Sequence, residues 1–327
     1  GIEALKKDQS LLPHVQGVLP EELFEIVATD NIANTIFNDS NLPDRLNAPA
    51  EKPTVNDYWR VHSYTGVAAR LTVHEPVMVT GYADDDTNQE SPNIQNLLSR
   101  HSFPRGARVG VILHSLMEDL DFQTDDYSAL CDRTLRRLGL DDEWLPVLQQ
   151  WVQDILKAPL GQFSLKDIGL TDRLDEMEFH FPLATSTNLV QFLAQRGYLE
   201  GTSNKALLLQ GQMTGLIDLL FRRDGKYYIA DYKSNFLGNS LADYNDESIA
   251  HAMQSHQYHL QYLIYTVAVH RMLKQKLPGY RYETHMGGAY YLFLRGMNPQ
   301  DSRGIFSTKP DLDTVTRLDE LLGGISG

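Results

Sequence analysis

Cysteine is almost absent from this 327-residue chain. The single thiol, Cys131, has no partner, which excludes an internal disulfide framework and points to a reducing, cytoplasmic setting. No run of about 18 apolar residues occurs, so no segment is expected to span a membrane. The opening residues, Gly1-Ile2-Glu3-Ala4-Leu5-Lys6-Lys7, lack the apolar stretch of a secretory signal. An initiator methionine is also missing, so the chain is expected to be a fragment of something longer. The phosphate-cradling pattern G-x-x-x-x-G-K-[ST] is absent, so this stretch of sequence is not expected to drive unwinding with ATP. Internal repeats and low-complexity tracts are lacking as well.

What is present is ordinary for a folded protein, with 42% hydrophobic and 22% charged residues, but unbalanced in charge. Lys and Arg number 29 against 43 Asp and Glu, a net of −14, which argues against a simple nucleic-acid binder. The imbalance is local. Between Lys205 and Lys309 there are 12 basic and 8 acidic residues, a net of +4, leaving −18 for the remainder. Acidic clusters lie at Asp84-Asp85-Asp86, from Glu118 to Asp126 and at Asp141-Asp142-Glu143. A polyanionic substrate for the basic C-terminal region stays open, beside the plainer account of solvated surface charge.

Three stretches differ in character. Residues 1–57 are acidic, with scattered Pro and Asn; Leu23, Phe24, Ile26 and Val27 suggest one short helix, and Pro43 to Pro53 a linker. Residues 58–173 read as mainly helical. Apolar residues recur at helical spacing at Leu113, Leu116, Met117 and Leu120, at Leu135 and Leu138, and at Leu145, Leu148, Trp151 and Ile155. Asp84 to Asn93 reads as a loop. Residues 174–327 carry strand-like runs at 174–180, 212–223, 226–234 and 287–295 around one long helix, about 248–276. Strands around a helix indicate α/β or α+β.

The densest chemistry lies at a hairpin. Thr214 to Arg223 and Lys226 to Ser234 flank Asp224-Gly225, the dipeptide of tight type I′ turns. With a two-residue loop, Asp218 falls opposite Asp231 and Lys233 projects on the same face. Opposed like charges are destabilising. A shared proton, a salt bridge to Lys233 or a divalent cation would each relieve them, and two oxygen ligands with room for water and phosphate suit Mg²⁺. The bland alternative is a surface salt-bridge cluster, against which stand the apolar flanks Leu216, Ile217, Leu219, Ile229 and Ala230. On the long helix, Gln261 and Tyr265 share a face with Tyr258 one turn earlier. A Gln amide and phenols can contact phosphate or stack bases. They serve equally as an amphipathic core helix with buried rings. Upstream, His114 and Glu118 sit one turn apart, where His114 is either a metal ligand or an ordinary helical histidine. Around 174–180, Leu174, Glu176 and Glu178 alternate with Asp175, Met177 and Phe179, and Glu176 could join an acidic site through a water.

Asp218, then Asp231-Tyr232-Lys233, then Gln261-x-x-x-Tyr265, in that order, resembles the PD-(D/E)xK nuclease superfamily. The fuller text resembles, within it, the nuclease domains of RecB-type subunits of bacterial exodeoxyribonuclease V. It includes F-P-R-G at Phe103 to Gly106, L-H-S-L at Leu113 to Leu116, E-M-E-F at Glu176 to Phe179, D-Y-K-S-N at Asp231 to Asn235, L-Q-Y at Leu260 to Tyr262 and Y-L-F-L-R-G at Tyr291 to Gly296. One departure is visible: Ile217 precedes Asp218 where the superfamily name has Pro. The resemblance implies an α/β fold with a restriction-endonuclease-like core, a central mixed sheet flanked by helices, and a helical N-terminal part. It implies a nuclease domain over 58–327, divided into 58–173 with His114 and a catalytic core at 174–327, preceded by the tail of a helicase region and linker at 1–57. It implies Mg²⁺ bound by His114, Asp218 and Asp231 with the carbonyl of Tyr232, Lys233 as the catalytic lysine, and Glu176, Gln261 and Tyr265 at further motif positions. The implied activity is DNA phosphodiester cleavage during double-strand-break repair and recombination. The implied partners are single- and double-stranded DNA ends, RecC and RecD subunits, and RecA. Two alternatives remain: a non-cleaving module of the same fold that docks RecA or RecC, and a metal-dependent phosphatase for small molecules.

Overall fold

A computed structural model of the chain describes residues 59–71, 98–186, 188–199 and 209–323. All of these fall in the second of two units into which the chain divides, residues 56–327. The short helix near Leu23, the linker at 43–53 and the loop at 84–93 lie outside the described residues.

Six strands form one mixed sheet: β1 (Arg60–Ser63), β2 (Arg173–Ser186), β3 (Leu209–Arg223), β4 (Lys226–Lys233), β5 (Met286–Phe293) and β6 (Ile305–Thr308). The expected strand-like runs are all there, β2 and β3 each longer than read. Helix α1 (Tyr64–Leu71) follows β1 directly. Helices α2 (Ala107–Asp119), α3 (Ser128–Leu138) and α4 (Leu145–Lys157) precede β2, and α5 (Leu189–Gln195) lies between β2 and β3. Helices α6 (Asp246–Ser255), α7 (Tyr258–Lys276) and the short α8 (Tyr282–His285) connect β4 to its parallel neighbour β5, and α9 (Leu312–Leu321) ends the fold.

Two hydrophobic cores, one on each face, hold this three-layer stack. One packs α1, α5, α6, α7 and α9 against Met213, Ile217, Ile229, Tyr291 and Phe293. The other packs α2, α3 and α4 against Leu219, Phe221, Ala230, Tyr232 and Leu292. Helix α7 is buried nearly all round, which is why its sequence shows little amphipathic contrast.

The Asp224-Gly225 turn forms as expected, with φ of +49° and +74°, both central residues in the left-handed region that a type I′ turn demands. The single long helix expected over 248–276 is instead two. Gln257 at φ +54° breaks it, and the carbonyl of His256 accepts a hydrogen bond from the Tyr64 hydroxyl at 2.7 Å. The break lets α7 start afresh at Tyr258, below the end of β4.

β3 is the organising strand. β2 runs along one edge of it, and β1 and β4 share the other, β1 at Gly211 to Thr214 and β4 at Leu219 to Arg223. Gly211, at φ +127°, permits the close approach of β1, since a Cβ there would stand 1.9 Å from the carbonyl oxygen of Arg60. Among the described residues, no strand pairs with that edge of β3 between Thr214 and Leu219. Asp218 lies in this gap.

Candidate active site

The hairpin register is the expected one as far as it goes. Arg223 pairs with Lys226 and each following pair steps back to Leu219 opposite Ala230. There the ladder stops. Asp218 and Asp231, expected as the next cross-strand pair, are not paired to each other, because the strands diverge at this point. β4 keeps its far edge on β5 from Tyr227 to Lys233, with Asp231 opposite Tyr291, and the N–H of Tyr232 donates to Asp218 Oδ2 at 2.9 Å. A strand edge that would have bonded backbone to backbone bonds backbone to carboxylate.

A second irregularity coincides with this fork. In β3, Met213 and Ile217 face the α7 side but Leu219 and Phe221 face α2–α4. In β2, Met177, Phe179 and Phe181 lie with the α7 core, whereas Arg173, ion-paired to Asp175 at 3.0 Å, lies over the Phe122 ring of the other core. Both strands exchange faces at one level, where Glu176 stands across from Asp218. Glu176 takes φ +49°, uncommon for a residue with a side chain and a recurrent feature of functional sites. The alternation read from the sequence therefore holds for exposure and fails for the face that each residue presents.

The side chains around the fork are buried. Asp231 is 2% exposed, Lys233 7% and Asp218 8%. Lys233 Nζ pairs with Asp231 Oδ1 at 2.5 Å, as expected from their spacing. The same ammonium lies 3.4 Å from Gln261 Oε1 and 4.1 Å from the centroid of the Tyr258 ring. Gln261 Oε1 also accepts from the Tyr291 hydroxyl at 3.0 Å, and its Nε2 donates to the Tyr265 hydroxyl at 3.0 Å. The expected Gln261–Tyr265 pair is thus a polar bracket behind the lysine. The rings of Tyr258, Tyr262 and Tyr265 are buried, which corrects the idea of open base-stacking platforms on this helix. From α2, His114 Nδ1 approaches Asp218 Oδ2 at 3.4 Å. The carboxyl of Glu118, one turn on, is hydrogen-bonded to Glu176, which is exposed.

Sequence reasoning missed Tyr291, Tyr64 and Asn235. Tyr291 left a readable trace, since Ala289, Tyr291 and Phe293 alternate onto the α7 face of β5. Tyr64, whose hydroxyl is pushed upward by burial and then by the charge of Asp231, comes from the far N-terminal side of the fold and left none.

The electrostatics follow from two buried carboxylates, Asp231 paired with Lys233 and Asp218 beside His114. Burial, and then the neighbouring Asp218, raise the Asp231 carboxyl to about 7 against the opposing pull of Lys233. Glu118 is likewise raised to about 7, by burial first and then by Glu176 and Asp218. The cluster is short of positive charge. Its donors, carboxylate oxygens with a neutral-capable imidazole beside them, are those of a hard divalent cation. Among the described residues, no three His, Cys, Asp or Glu side chains form a ready-made cage.

Comparison with known proteins agrees with this geometry. Residues 93–322 match the PD-(D/E)XK nuclease superfamily. The chain is 36% identical over 289 residues to the RecBCD enzyme subunit RecB of Escherichia coli strain K12, an alignment covering 86% of this chain and 24% of that protein. It is 38% identical over 238 residues to RecB of Haemophilus influenzae, covering 71% and 19%. With RecB of Mycobacterium tuberculosis the identity is 30% over 262 residues, covering 68% and 24%. The chain spans about a fifth to a quarter of the length of these relatives. With six strands between two helical layers and a D-Y-K motif at the fork of its central hairpin, the chain belongs to the PD-(D/E)XK nuclease superfamily.

Proposed function

We propose that this domain hydrolyses DNA phosphodiester bonds with Mg²⁺ and works inside a RecBCD-like helicase–nuclease during double-strand-break repair. The observation that carries the reading is the buried Asp218/Asp231 pair at the open end of the hairpin, with Lys233 on Asp231 and His114 beside Asp218. Asp218 and Asp231 would hold the ion, with His114 and the carbonyl of Tyr232 beside them. When bound, a divalent cation neutralises charge on the phosphate and makes water a better nucleophile.

The rest is the work of the chain's own groups. Lys233 donates hydrogen bonds to the oxygen that gains negative charge as phosphorus is attacked. It is pre-oriented by the Gln261 carbonyl and the Tyr258 ring face, so little reorganisation is needed at the moment of reaction. Tyr265 and Tyr291 fix the amide plane of Gln261 from both ends. Glu118 and Glu176 line the exposed side of Asp218, and the strained backbone at Glu176 sets their approach. Residues 58–327 make up the nuclease unit in this reading, and 1–57 the tail of a preceding helicase region with its linker. RecC- and RecD-type subunits would be its structural partners, RecA a transient one, single- and double-stranded DNA ends its substrates, and the cytoplasm its location.

The test is to incubate the full 327-residue chain with end-labelled single-stranded DNA and Mg²⁺, with and without a chelator, beside a chromogenic phosphomonoester. Metal-dependent strand cutting with no monoester hydrolysis is expected. Cutting that survives Asp218→Asn, or monoester turnover without strand cutting, overturns the reading. DNA binding without any cutting would favour a docking module.

A further inference from the structure

The F-P-R-G motif has no part in the chemistry above, yet the fold brings it beside the D-Y-K-S-N motif. Arg295 does this. Its side chain is 1% exposed and is spent on backbone carbonyls: Nε donates to Ser234 at 3.2 Å, Nη1 to Arg100 at 2.6 Å and Phe103 at 3.1 Å, and Nη2 to Pro104 at 2.7 Å. One guanidinium thus ties the segment before α2 to the exit of β4. The residues just beyond each tie are consequential. Arg105 follows the pinned Pro104, and its guanidinium carbon lies 3.1 Å from the ring centroid of Phe236.

Phe236 is also held. Its neighbour Asn235 is buried and accepts from the Tyr258 hydroxyl at 3.3 Å through Oδ1 and from the Tyr244 hydroxyl at 3.3 Å through its carbonyl. On its other side, the N–H of Leu237 donates to the same Tyr244 hydroxyl at 3.2 Å. Phe236 stands three residues after Lys233, hence within about 10 Å of it along the chain. Both members of the pair are half-buried, leaving surface for a ligand. Among the described residues, Arg105 forms no ion pair, in a protein whose net charge is −14. An arginine with no ion pair among the described residues of so acidic a chain, seated on an aromatic ring three residues along from the lysine, has the composition of a strand-binding platform: a cation for phosphate, a ring face for a base.

We propose that Arg105 and Phe236 clamp single-stranded DNA at the mouth of the cleavage site, Arg105 on a phosphate and Phe236 on a base. The proposal rests on the nuclease reading and adds to it the residues that hold the strand. Unpaired bases are required, because a base within a duplex has no free face to offer the ring.

The experiment measures binding of a fluorescent oligothymidylate to the full chain by anisotropy, in EDTA to prevent cutting, across a range of salt. Arg105→Ala should weaken binding about tenfold at low salt and lower the slope of log K against log salt by about 0.7, one phosphate contact on a single strand. Arg105→Lys should keep the slope. Phe236→Ala should cost about fivefold or more without changing the slope. On an oligonucleotide abasic at every position, Phe236→Ala should cost nothing, an outcome that a merely structural ring would not give. Melting temperatures of the variants verify folding. Wild-type binding that neither Arg105→Ala nor Phe236→Ala alters overturns the clamp and leaves the nuclease reading standing. A wild-type chain that does not bind the oligonucleotide overturns both.

Discussion

The two ends of the β3–β4 hairpin are built on opposite terms. The closed end, running from the Asp224-Gly225 turn to Leu219 and Ala230, keeps a continuous backbone ladder, and beyond its charged tip of Arg222, Arg223 and Lys226 the side chains are largely apolar. Leu219, Ile229 and Ala230 are fully buried, and Phe221 stacks on Tyr228 with ring centroids 5.1 Å apart. At the open end the ladder is given up, two carboxylates and an ammonium are buried, and the neighbouring strand carries a non-glycine residue at positive φ. Burying ions rarely adds stability over a well-packed apolar alternative. The closed end and the helices on both faces therefore hold the open end in a form it would not keep alone. One hairpin divides into a part that supplies stability and a part on which the chemistry is built.

The widest separation should come from Asp231→Asn against Phe221→Ala. Asp231→Asn keeps the volume and leaves Lys233 its contacts with Gln261 and Tyr258. DNA cleavage in Mg²⁺ should fall by about 10³-fold or more, while the melting temperature barely moves. Phe221→Ala empties a site that is 1% exposed and should cost about 3–5 kcal/mol, read as a lower denaturation midpoint. Its cleavage rate per folded molecule should stay near wild type at low temperature. If Phe221→Ala instead abolishes cleavage while leaving stability intact, the division between the two ends is wrong.

That division was only half legible in the sequence. The turn dipeptide and the period-two apolar pattern specify the closed end down to the register, because local backbone geometry and burial decide both. Lys233 beside Asp231 follows from the same period. The fork does not, because it depends on tertiary packing: β3 exchanges faces between Ile217 and Leu219, and the Tyr232 N–H bonds the Asp218 carboxylate instead of a backbone carbonyl. The break between α6 and α7 was hidden for a similar reason. The turn at Gln257 contains no Gly or Pro, and its carbonyl contact comes from Tyr64, almost two hundred residues away in sequence. Asp218, Asp231, Lys233, His114 and Gln261, which the structure gathers around the fork, were singled out in the sequence because their residue types are distinctive. Tyr291 was missed because a tyrosine in a buried strand reads first as packing.

A smaller effect sharpens the open end. Tyr291→Phe removes one hydroxyl from Gln261 Oε1 and leaves the ring in place. The amide then loses one of the two groups that fix its orientation toward Lys233. The expected loss is about tenfold in kcat, with KM unchanged and about 1 kcal/mol of stability. A Tyr291→Phe enzyme with wild-type kcat would show that Gln261 needs no such support.

The least of the expected effects concerns the segment that Arg295 pins beside the fork. His101 packs against Tyr244 with ring centroids 5.7 Å apart, next to Arg100. Burial, and then the charges of Arg100 and Arg295, hold its imidazole down to about 4, with Asp243 pulling weakly the other way. The ordinary value is 6.5, so the unfolded chain binds this proton more tightly than the folded one. The stability that neutral His101 contributes is complete above pH 6.5 and is lost as the pH falls through about 4. Wild type should accordingly lose melting temperature over that interval more steeply than His101→Asn, whose side chain does not titrate. The two proteins should run parallel above pH 7. If the curves stay parallel through the acid range as well, protonation of His101 does not loosen the segment, and the contacts that pin it, those of Arg295 among them, are indifferent to that charge.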